Sequence, residues 1–402
     1  MSPGRGVEFF DGNEVATVAE IDDVQFFDTT LRDGEQAARI SFTYEEKREI
    51  AAVLDEMGVH VIEAGFPVSS DEEFEAVRDI ADACETTVCG LARIVDADVE
   101  AALDSGVDMV HVFASTSDVQ IEDSMHSTRE AVKRKSVECV ERVTDAGVEC
   151  MFSPMDATRT DADYLAEVVE ATTEAGADWI NIPDTVGVCT PDRMGDLVEF
   201  VGEHTDAELD VHCHDDFGMA TANSVAGIEA GASQAQVSVN GIGERAGNAA
   251  TEEVVMAIES IYGVDTGIDT TRFVELSSLV EERSGVTMPA NKPVVGENAF
   301  SHESGIHAAG VIENAATFEP GVMTPEMVGA ERDFVLGKHT GTHNVRKHLQ
   351  EASYDPTDEQ VRAVTARVKS YAATEGEVTA EVVERIARDV GADRERVTEG
   401  RA

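Results

Sequence analysis

The sequence predicts an α/β fold: a (β/α)8 barrel followed by a linker and a small helical C-terminal subdomain. Three observations lead to this prediction. Eight short apolar segments recur roughly every 20 to 40 residues, an amphipathic stretch follows each of them, and many of these stretches end at a glycine. Eight parallel strands with this spacing favour a TIM barrel over an open, doubly wound sheet. The open sheet would need a phosphate-binding glycine loop after its first strand, and LRDGEQ at 31–36 is not such a loop.

The predicted elements follow one another in regular order. The strands are expected to begin near Val24, Val59, Thr87, Met109, Val148, Trp179, Leu209 and Ala235. Residues 44–57 and 161–175 carry apolar side chains at helical spacing. Glycines such as Gly58 and Gly176 come directly after the helical stretches, where a left-handed C-cap leads the chain into the next strand.

The expected domain organisation has three parts. These are an N-terminal arm over residues 1–23, a barrel over 24–263, and a linker with a helical subdomain over 264–402. In the last part the apolar pattern predicts helices over 273–282 and 358–390. The segment 291–300 is interrupted by proline and glycine and is expected to be extended.

The chain is strongly acidic, with 30 Lys and Arg against 81 Asp and Glu and a formal net charge of −51. The acidic residues are spread along the whole length, and such dispersed charge is tolerated when salt screens it. We therefore expect a salt-adapted, halophilic protein of the cytoplasm. No basic stripe is present to neutralise phosphates, which excludes a nucleic-acid partner. The six cysteines form no CxxC pair, and no apolar run suggests a signal segment or a membrane span.

Polar side chains mark the ends of two predicted strands. The first strand runs into DTTLRDGEQ at 28–36, and the seventh ends in HCHDD at 212–216. Chemistry in TIM barrels is located at the carboxyl ends of the strands. Because residues i and i+2 of a strand share a face, His212 and His214 should project together. Two imidazoles with a carboxylate are a common ligand set for a divalent metal that keeps open positions.

At this point the chain resembles the 2-isopropylmalate, homocitrate and citramalate synthases. Two long motifs carry the resemblance: LRDGEQ at 31–36, followed after ten intervening residues by Lys47, and VHCHDDFG at 211–218. Further similar stretches are EAGFP at 63–67, PDTVG at 183–187, GNAATE at 247–252, SGIH at 304–307 and GKHTG at 337–341. The resemblance extends from about Phe26 to Val345. It implies an acyltransferase that uses acetyl-CoA and a 2-oxo acid.

The resemblance also implies a metal site. Asp33, His212 and His214 would be ligands of Mg²⁺, Mn²⁺ or Zn²⁺, with Asn248 at or beside the ion. The metal would act as a Lewis acid on the ketone of the 2-oxo acid. Arg32 would face that ketone oxygen and add positive charge where an alkoxide develops.

Two further residues acquire roles from the resemblance, and two positions depart from it. Thr185 would bind the substrate carboxylate, and His307 would come from the partner subunit of a homodimer to complete the active site. The family reads Phe-Ser-x-Glu-Asp at the end of strand five, whereas Met155 occupies the glutamate position here. Because a thioether cannot accept a proton, either His307 performs the acid–base chemistry or the enzyme is slow or altered. Ala309 stands where many relatives carry Asp.

The substrate prediction depends on a few pocket residues. His111 and Ser153 are similar to the 2-isopropylmalate synthase pattern, which leaves room for the branched side chain of 2-oxoisovalerate and places the enzyme in leucine biosynthesis. Met151 stands where homocitrate synthases place an arginine for the distal carboxylate of 2-oxoglutarate. Citramalate synthase, with pyruvate, and homocitrate synthase remain alternatives.

Other classes of protein are less consistent with the motifs. A related hydroxymethylglutaryl-CoA lyase would carry a cysteine in the glycine loop after strand eight, and 240–247 has none. A biotin-dependent carboxyltransferase would need a metal-bridging lysine on strand six, and 179–184 has none. A non-heme iron oxygenase usually has a β-sandwich fold. A non-enzymatic descendant, marked by Met155, remains open.

Overall fold

The computed structural model describes residues 23–304 and 322–392, together with Ile21, Gly310 and Asn314. The chain divides into two compact units, of which the first ends at Met288 and the second begins at Pro289. The strands and helices are β1 (Gln25–Asp28), α1 (Tyr44–Met57), β2 (Val61–Gly65), α2 (Asp71–Ala83), β3 (Thr87–Arg93), α3 (Asp96–Asp104), β4 (Met109–Ser115), α4 (Asp118–Asp123), α5 (Arg129–Asp145), β5 (Glu149–Met155), α6 (Ala162–Glu174), β6 (Trp179–Asp184), α7 (Pro191–Gly202), β7 (Glu208–Cys213), α8 (Ala220–Glu229), β8 (Gln234–Val237), α9 (Thr251–Ala257), α10 (Phe273–Ser284), α11 (Thr342–Glu351), α12 (Asp358–Thr374) and α13 (Ala380–Asp389).

The first unit is a closed barrel in which β1 to β8 follow in order and all pairs are parallel. β8 closes the barrel on β1, with Ala235 opposite Phe26. The predicted barrel and the predicted helical C-terminal region are both confirmed. Helix α1 shows how the local sequence builds one repeat: Thr43 and Glu46 form a capping box at its start, and Gly58 ends it with a φ of 79°.

The interior of the barrel contains an apolar layer and, nearer the carboxyl ends of the strands, a set of polar side chains. A buried apolar layer is formed by Phe27, Val61, Cys89, Met109, Met151 and Trp179. Because side chains alternate along a strand, the residue two positions further on faces the interior again, nearer the carboxyl end. Those residues include Glu63, His111, Ser153 and Asn181, all of them buried. The apolar layer therefore lies nearer the amino ends of the strands than these polar side chains do.

Two expectations from the sequence differ from the observed fold. Helix α10 packs on α1 and lies in the first unit, although it follows the expected barrel boundary at residue 263. The prediction that 291–300 is extended is wrong, because this segment folds into consecutive turns. The backbone N–H of Gly296 donates to the carbonyl of Lys292, and a side chain at Gly296 would lie 2.5 Å from that oxygen. The chain folds back on itself here, at a glycine that leaves space for a backbone carbonyl.

The second unit has its own core. Helices α11, α12 and α13 pack around buried residues that include Val345, Leu349, Val364 and Ile386. The helical stretch predicted over 358–390 is interrupted at Gly376, whose φ is 103°. None of the helices in the described part of the chain is long and apolar enough to span a membrane.

Candidate active site

Three side chains that are far apart in the sequence meet at the carboxyl end of the barrel. Asp33 follows β1, His212 lies in β7, and His214 follows β7. One potential ligand atom from each lies within 4.8 Å of the others, and all three residues are buried. Nε2 of His214 is 3.5 Å from Oδ1 of Asp33, and Nε2 of His212 is 4.0 Å from Oδ2. Closure of the barrel brings these strand ends together, as the spacing predicts.

The donor set of this group fits a divalent cation. Nδ1 of His212, both ring nitrogens of His214 and Oδ1 of Asn248 are buried and make no hydrogen bond to any residue in the described part of the chain. Buried polar atoms normally have a hydrogen-bonding partner. A set of unpartnered nitrogen and oxygen atoms therefore indicates a site for a bound species, such as a cation. Burial, followed by the neighbouring His214, lowers the pKa of His212 to about 3, which keeps its imidazole neutral and able to donate a lone pair.

The carboxylate of Asp33 is held in its ionised form. Burial alone would raise its pKa, but the charge of Arg32 and the contacts with the two histidines hold the pKa of Asp33 well below its usual range. Nδ2 of Asn248 donates to Oδ1 of Asp33 at 3.0 Å and to the carbonyl of Ile242 at 3.1 Å. These two bonds fix the orientation of the Asn248 amide and direct its oxygen away from both acceptors.

Arg32 is fixed by two carboxylates. Its Nη1 donates to Oδ2 of Asp33 at 2.5 Å, and its Nε donates to Oε2 of Glu63 at 2.7 Å. Glu63 is fully buried on β2 and also accepts from the hydroxyl of Thr29 at 2.6 Å. No role for Glu63 was expected from the sequence. A signal was present, since this carboxylate stands in the middle of the apolar strand VIEAG.

Glu63 also contacts His111, which projects from β4. Nδ1 of His111 is 2.8 Å from Oε1 of Glu63, and Nε2 is 2.6 Å from the hydroxyl oxygen of Ser153. An ionised carboxylate only accepts hydrogen bonds, so Nδ1 carries the proton and donates it. In the neutral ring, Nε2 then accepts from the Ser153 hydroxyl. His111 and Ser153, both expected to bind substrate, therefore form one chain with Glu63.

His111 and Ser153, together with Arg32, Asp33, His212 and His214, line a cavity of about 230 Å³. Leu91, Phe113, Met155 and Pro183 form an apolar wall. Thr185 lies on the rim, and its hydroxyl oxygen accepts the backbone N–H of Asp156 at 2.9 Å. Because that bond uses the oxygen as the acceptor, the hydroxyl hydrogen of Thr185 remains available to donate.

A second cavity, of about 410 Å³, opens beside the first. Arg32 and Gln36 line both cavities. Polar residues, including Thr43 and Ser70, form much of its wall. The buried ammonium of Lys47 lies at this cavity and is 2.7 Å from carboxylate oxygens of both Glu35 and Glu73.

Comparison with known families agrees with this geometry. Residues 23–280 match the HMGL-like family, and residues 294–376 match the homocitrate synthase post-HMGL domain-like family. The chain belongs to the HMGL-like family. A Methanopyrus kandleri protein named a probable 2-isopropylmalate synthase is 54% identical over 349 residues, which are 87% of this chain and 70% of that protein. Another protein of that organism, named a putative (R)-citramalate synthase, is 50% identical over 374 residues, which are 92% of this chain and 73% of that protein.

The solved structures show the same fold at lower identity. Bacillus subtilis HMG-CoA lyase has a TM-score of 0.60 and 21% identity, over 67% of this chain and 96% of the lyase chain. Such a likeness concerns the fold alone.

The predicted resemblance to the synthases is confirmed by the relatives.

Two positions singled out in the sequence, His307 and Ala309, lie outside the described residues. The remaining predicted site residues, namely Arg32, Asp33, His111, Ser153, Thr185, His212, His214 and Asn248, belong to the first unit. All of them except Asn248 line the first cavity, and Asn248 donates a hydrogen bond to Asp33.

Proposed function

We propose that this chain is a 2-isopropylmalate synthase, an acyltransferase that condenses acetyl-CoA with 2-oxoisovalerate and releases CoA. The observation that carries the proposal is the cavity itself. It is lined by a buried carboxylate–imidazole group and by an apolar wall, with the guanidinium of Arg32 paired to the carboxylate. A 2-oxo acid with a branched apolar side chain matches both parts of this lining.

The metal would be held by Asp33, His212 and His214, with Asn248 at or beside it. A bound Mg²⁺, Mn²⁺ or Zn²⁺ would supply Lewis acidity at the ketone of the 2-oxo acid. The protein supplies the remaining charge, because Arg32 presents a guanidinium that Glu63 and Asp33 hold in place. A donor that does not have to move stabilises an alkoxide as its charge develops. Thr185 would donate its hydroxyl hydrogen to the substrate carboxylate.

The charges of the cavity argue for an apolar substrate side chain. Its two cationic side chains that the structure describes are both paired, Arg32 with Asp33 and Glu63, and Arg245 with Asp216. The distal carboxylate of 2-oxoglutarate would therefore be buried without a cation, which is unfavourable. This observation disfavours homocitrate synthase. Citramalate synthase is the second candidate, because a relative that carries this name is 50% identical.

Acetyl-CoA would approach through the second cavity. The two cavities share Arg32 and Gln36, so a chain that fills the second one ends beside the guanidinium of Arg32. Polar walls suit the amides of a pantetheine arm better than an apolar surface would. The thioester would then meet the ketone at the boundary between the cavities.

We further propose a cytoplasmic, salt-adapted homodimer with shared active sites, in which His307 of the partner subunit completes each site and takes part in acid–base chemistry. Subunit mixing tests this arrangement. Inactive Arg32→Ala and inactive His307→Ala proteins should regain activity when their subunits exchange, since one site of each hybrid keeps both residues. If exchange is demonstrated and the mixture stays inactive, the shared site is wrong.

The reaction itself is tested by the release of free CoA. Acetyl-CoA is offered with 2-oxoisovalerate, pyruvate or 2-oxoglutarate in molar KCl, with each of the three metals in turn. We expect kcat/KM to be highest with 2-oxoisovalerate. A preference for pyruvate would favour citramalate synthase, and no release with any 2-oxo acid would favour a non-enzymatic relative.

A further inference from the structure

We propose that Glu244 is a catalytic residue, the base that removes a proton from the methyl group of acetyl-CoA. The inference rests on the proposed condensation, which cannot begin until that C–H bond breaks. Glu244 lies in the loop after β8, lines the first cavity and is exposed to solvent. None of the sequence motifs pointed to a role for it.

The other basic side chains of the cavity, as far as the structure describes it, are already engaged. Asp33, His212 and His214 form the metal-binding group, and His111 is held between Glu63 and Ser153. Glu244 differs from all of these. Its carboxylate makes no hydrogen bond or ion pair with any residue in the described part of the chain, so its lone pairs remain available.

The position of Glu244 fits the order in which the two substrates would lie in the cavity. The metal-binding group and His111 are buried deep in the cavity, where the 2-oxo acid would lie. Acetyl-CoA must then cover the 2-oxo acid from the side of the solvent. A base for its methyl group is therefore needed on the solvent side of the 2-oxo acid, and Glu244 is an exposed residue of the first cavity. Met155, which also lines the cavity, offers only a thioether.

The loop that carries Glu244 is held from both sides. The carbonyl of Glu244 accepts the N–H of Gly247 at 3.0 Å. The next residue, Arg245, pairs with Asp216 at 2.7 Å and donates to the carbonyl of Thr185 at 2.9 Å. These contacts link the loop to the segments after β6 and β7. These contacts fix the backbone around Glu244, so only its side chain has to be ordered when the substrate arrives.

Glu244 accepts one proton during the condensation and then gives it back. The methyl C–H bond breaks, its proton goes to the carboxylate, and the electron pair forms the new bond to the ketone carbon. The π electrons of the ketone move to its oxygen, beside Arg32, and that alkoxide takes the proton back from Glu244. Water then replaces sulfur at the thioester carbonyl, which gives a carboxylate, the CoA thiol and one proton released to solvent.

Three variants test the assignment in metal-loaded protein in molar KCl: Glu244→Gln, Glu244→Asp and the control Glu199→Gln, which removes an exposed carboxylate of α7 outside the cavity. Loss of a positioned base lowers a rate by about 10²–10⁴-fold. We expect Glu244→Gln to lower kcat for CoA release by that factor, with Glu244→Asp in between and the control unchanged. The isotope effect on kcat with methyl-deuterated acetyl-CoA should increase in Glu244→Gln, because C–H cleavage becomes rate-limiting. Metal content and the Kd of the 2-oxo acid, measured by calorimetry, should not change.

The outcomes separate this inference from the proposed function. Wild-type protein that releases no CoA with any 2-oxo acid overturns both. An active wild type with an equally active Glu244→Gln variant overturns the role of Glu244 alone. That role is also overturned if Glu244→Gln loses metal or 2-oxo acid binding in step with kcat, or if the isotope effect increases only in His307→Ala.

Discussion

Replacement of Glu63 by glutamine tests the electrostatic core of the site. Burial alone would raise the pKa of Glu63, but the charge of Arg32, followed by the contact with His111, lowers it from 4.5 to about 2. A difference of this size corresponds to about 3 kcal/mol of folding free energy at neutral pH. Glutamine resembles the protonated carboxyl in shape and charge. Glu63→Gln should therefore lower the free energy of unfolding by about 3 kcal/mol, near the lower limit for breaking a buried ion pair.

The predicted loss depends on pH in a definite direction. The pKa of Glu63 is lower in the folded state than in the unfolded chain, so the ionised carboxylate stabilises the fold fully above about pH 4.5. That contribution is lost as the pH falls toward 2. The difference between wild type and variant should shrink from about 3 kcal/mol at pH 7 to about 2 kcal/mol at pH 3.5.

Urea unfolding in high salt with a chelator present measures both values without a contribution from bound metal. Glu75→Gln is the matched control, since Glu75 pairs with Arg78 on an exposed face of α2 and should matter little. Equal unfolding midpoints for wild type and Glu63→Gln would refute the reasoning. A difference that stays constant from pH 7 to pH 3.5 would show that lost packing, not charge, is the cause.

Three further predictions concern the metal group and the surface charge. His212→Ala should abolish metal content and CoA release together while leaving the fold intact; a variant that keeps stoichiometric metal and full turnover would contradict the assignment. A methyl group at Gly243 would lie 2.3 Å from Nδ2 of Asn248, so Gly243→Ala should weaken metal affinity by about 10-fold. Gly195→Ala, whose methyl would meet its nearest neighbour at 3.7 Å, should leave the affinity unchanged in the same titration. With a formal charge of −51, the melting temperature should fall as KCl decreases from molar to millimolar concentration, because screening weakens; a constant melting temperature would rule out salt adaptation.

The local sequence was sufficient to predict the barrel and the position of His212 and His214 at one of its ends. Strand starts and helix ends follow from apolar spacing and from glycines such as Gly58, which are properties of neighbouring residues. Once eight parallel strands close on themselves, their carboxyl ends must meet at one rim. His212 and His214 could therefore be placed together at this rim from the local sequence, whereas the family resemblance supplied Asp33.

Only the tertiary structure shows which side chains surround Asp33, His212 and His214, and which hydrogen bonds and ion pairs those side chains form. Glu63 on β2 reaches His111 on β4 across the barrel interior, past the strand between them. Glu244 is a candidate base because the other basic side chains of the cavity already have partners, and those contacts are visible only in the tertiary structure. Such partnerships depend on the register and tilt of strands that are distant in the sequence. Local pattern does not encode them, because each residue in isolation is equally compatible with many partners.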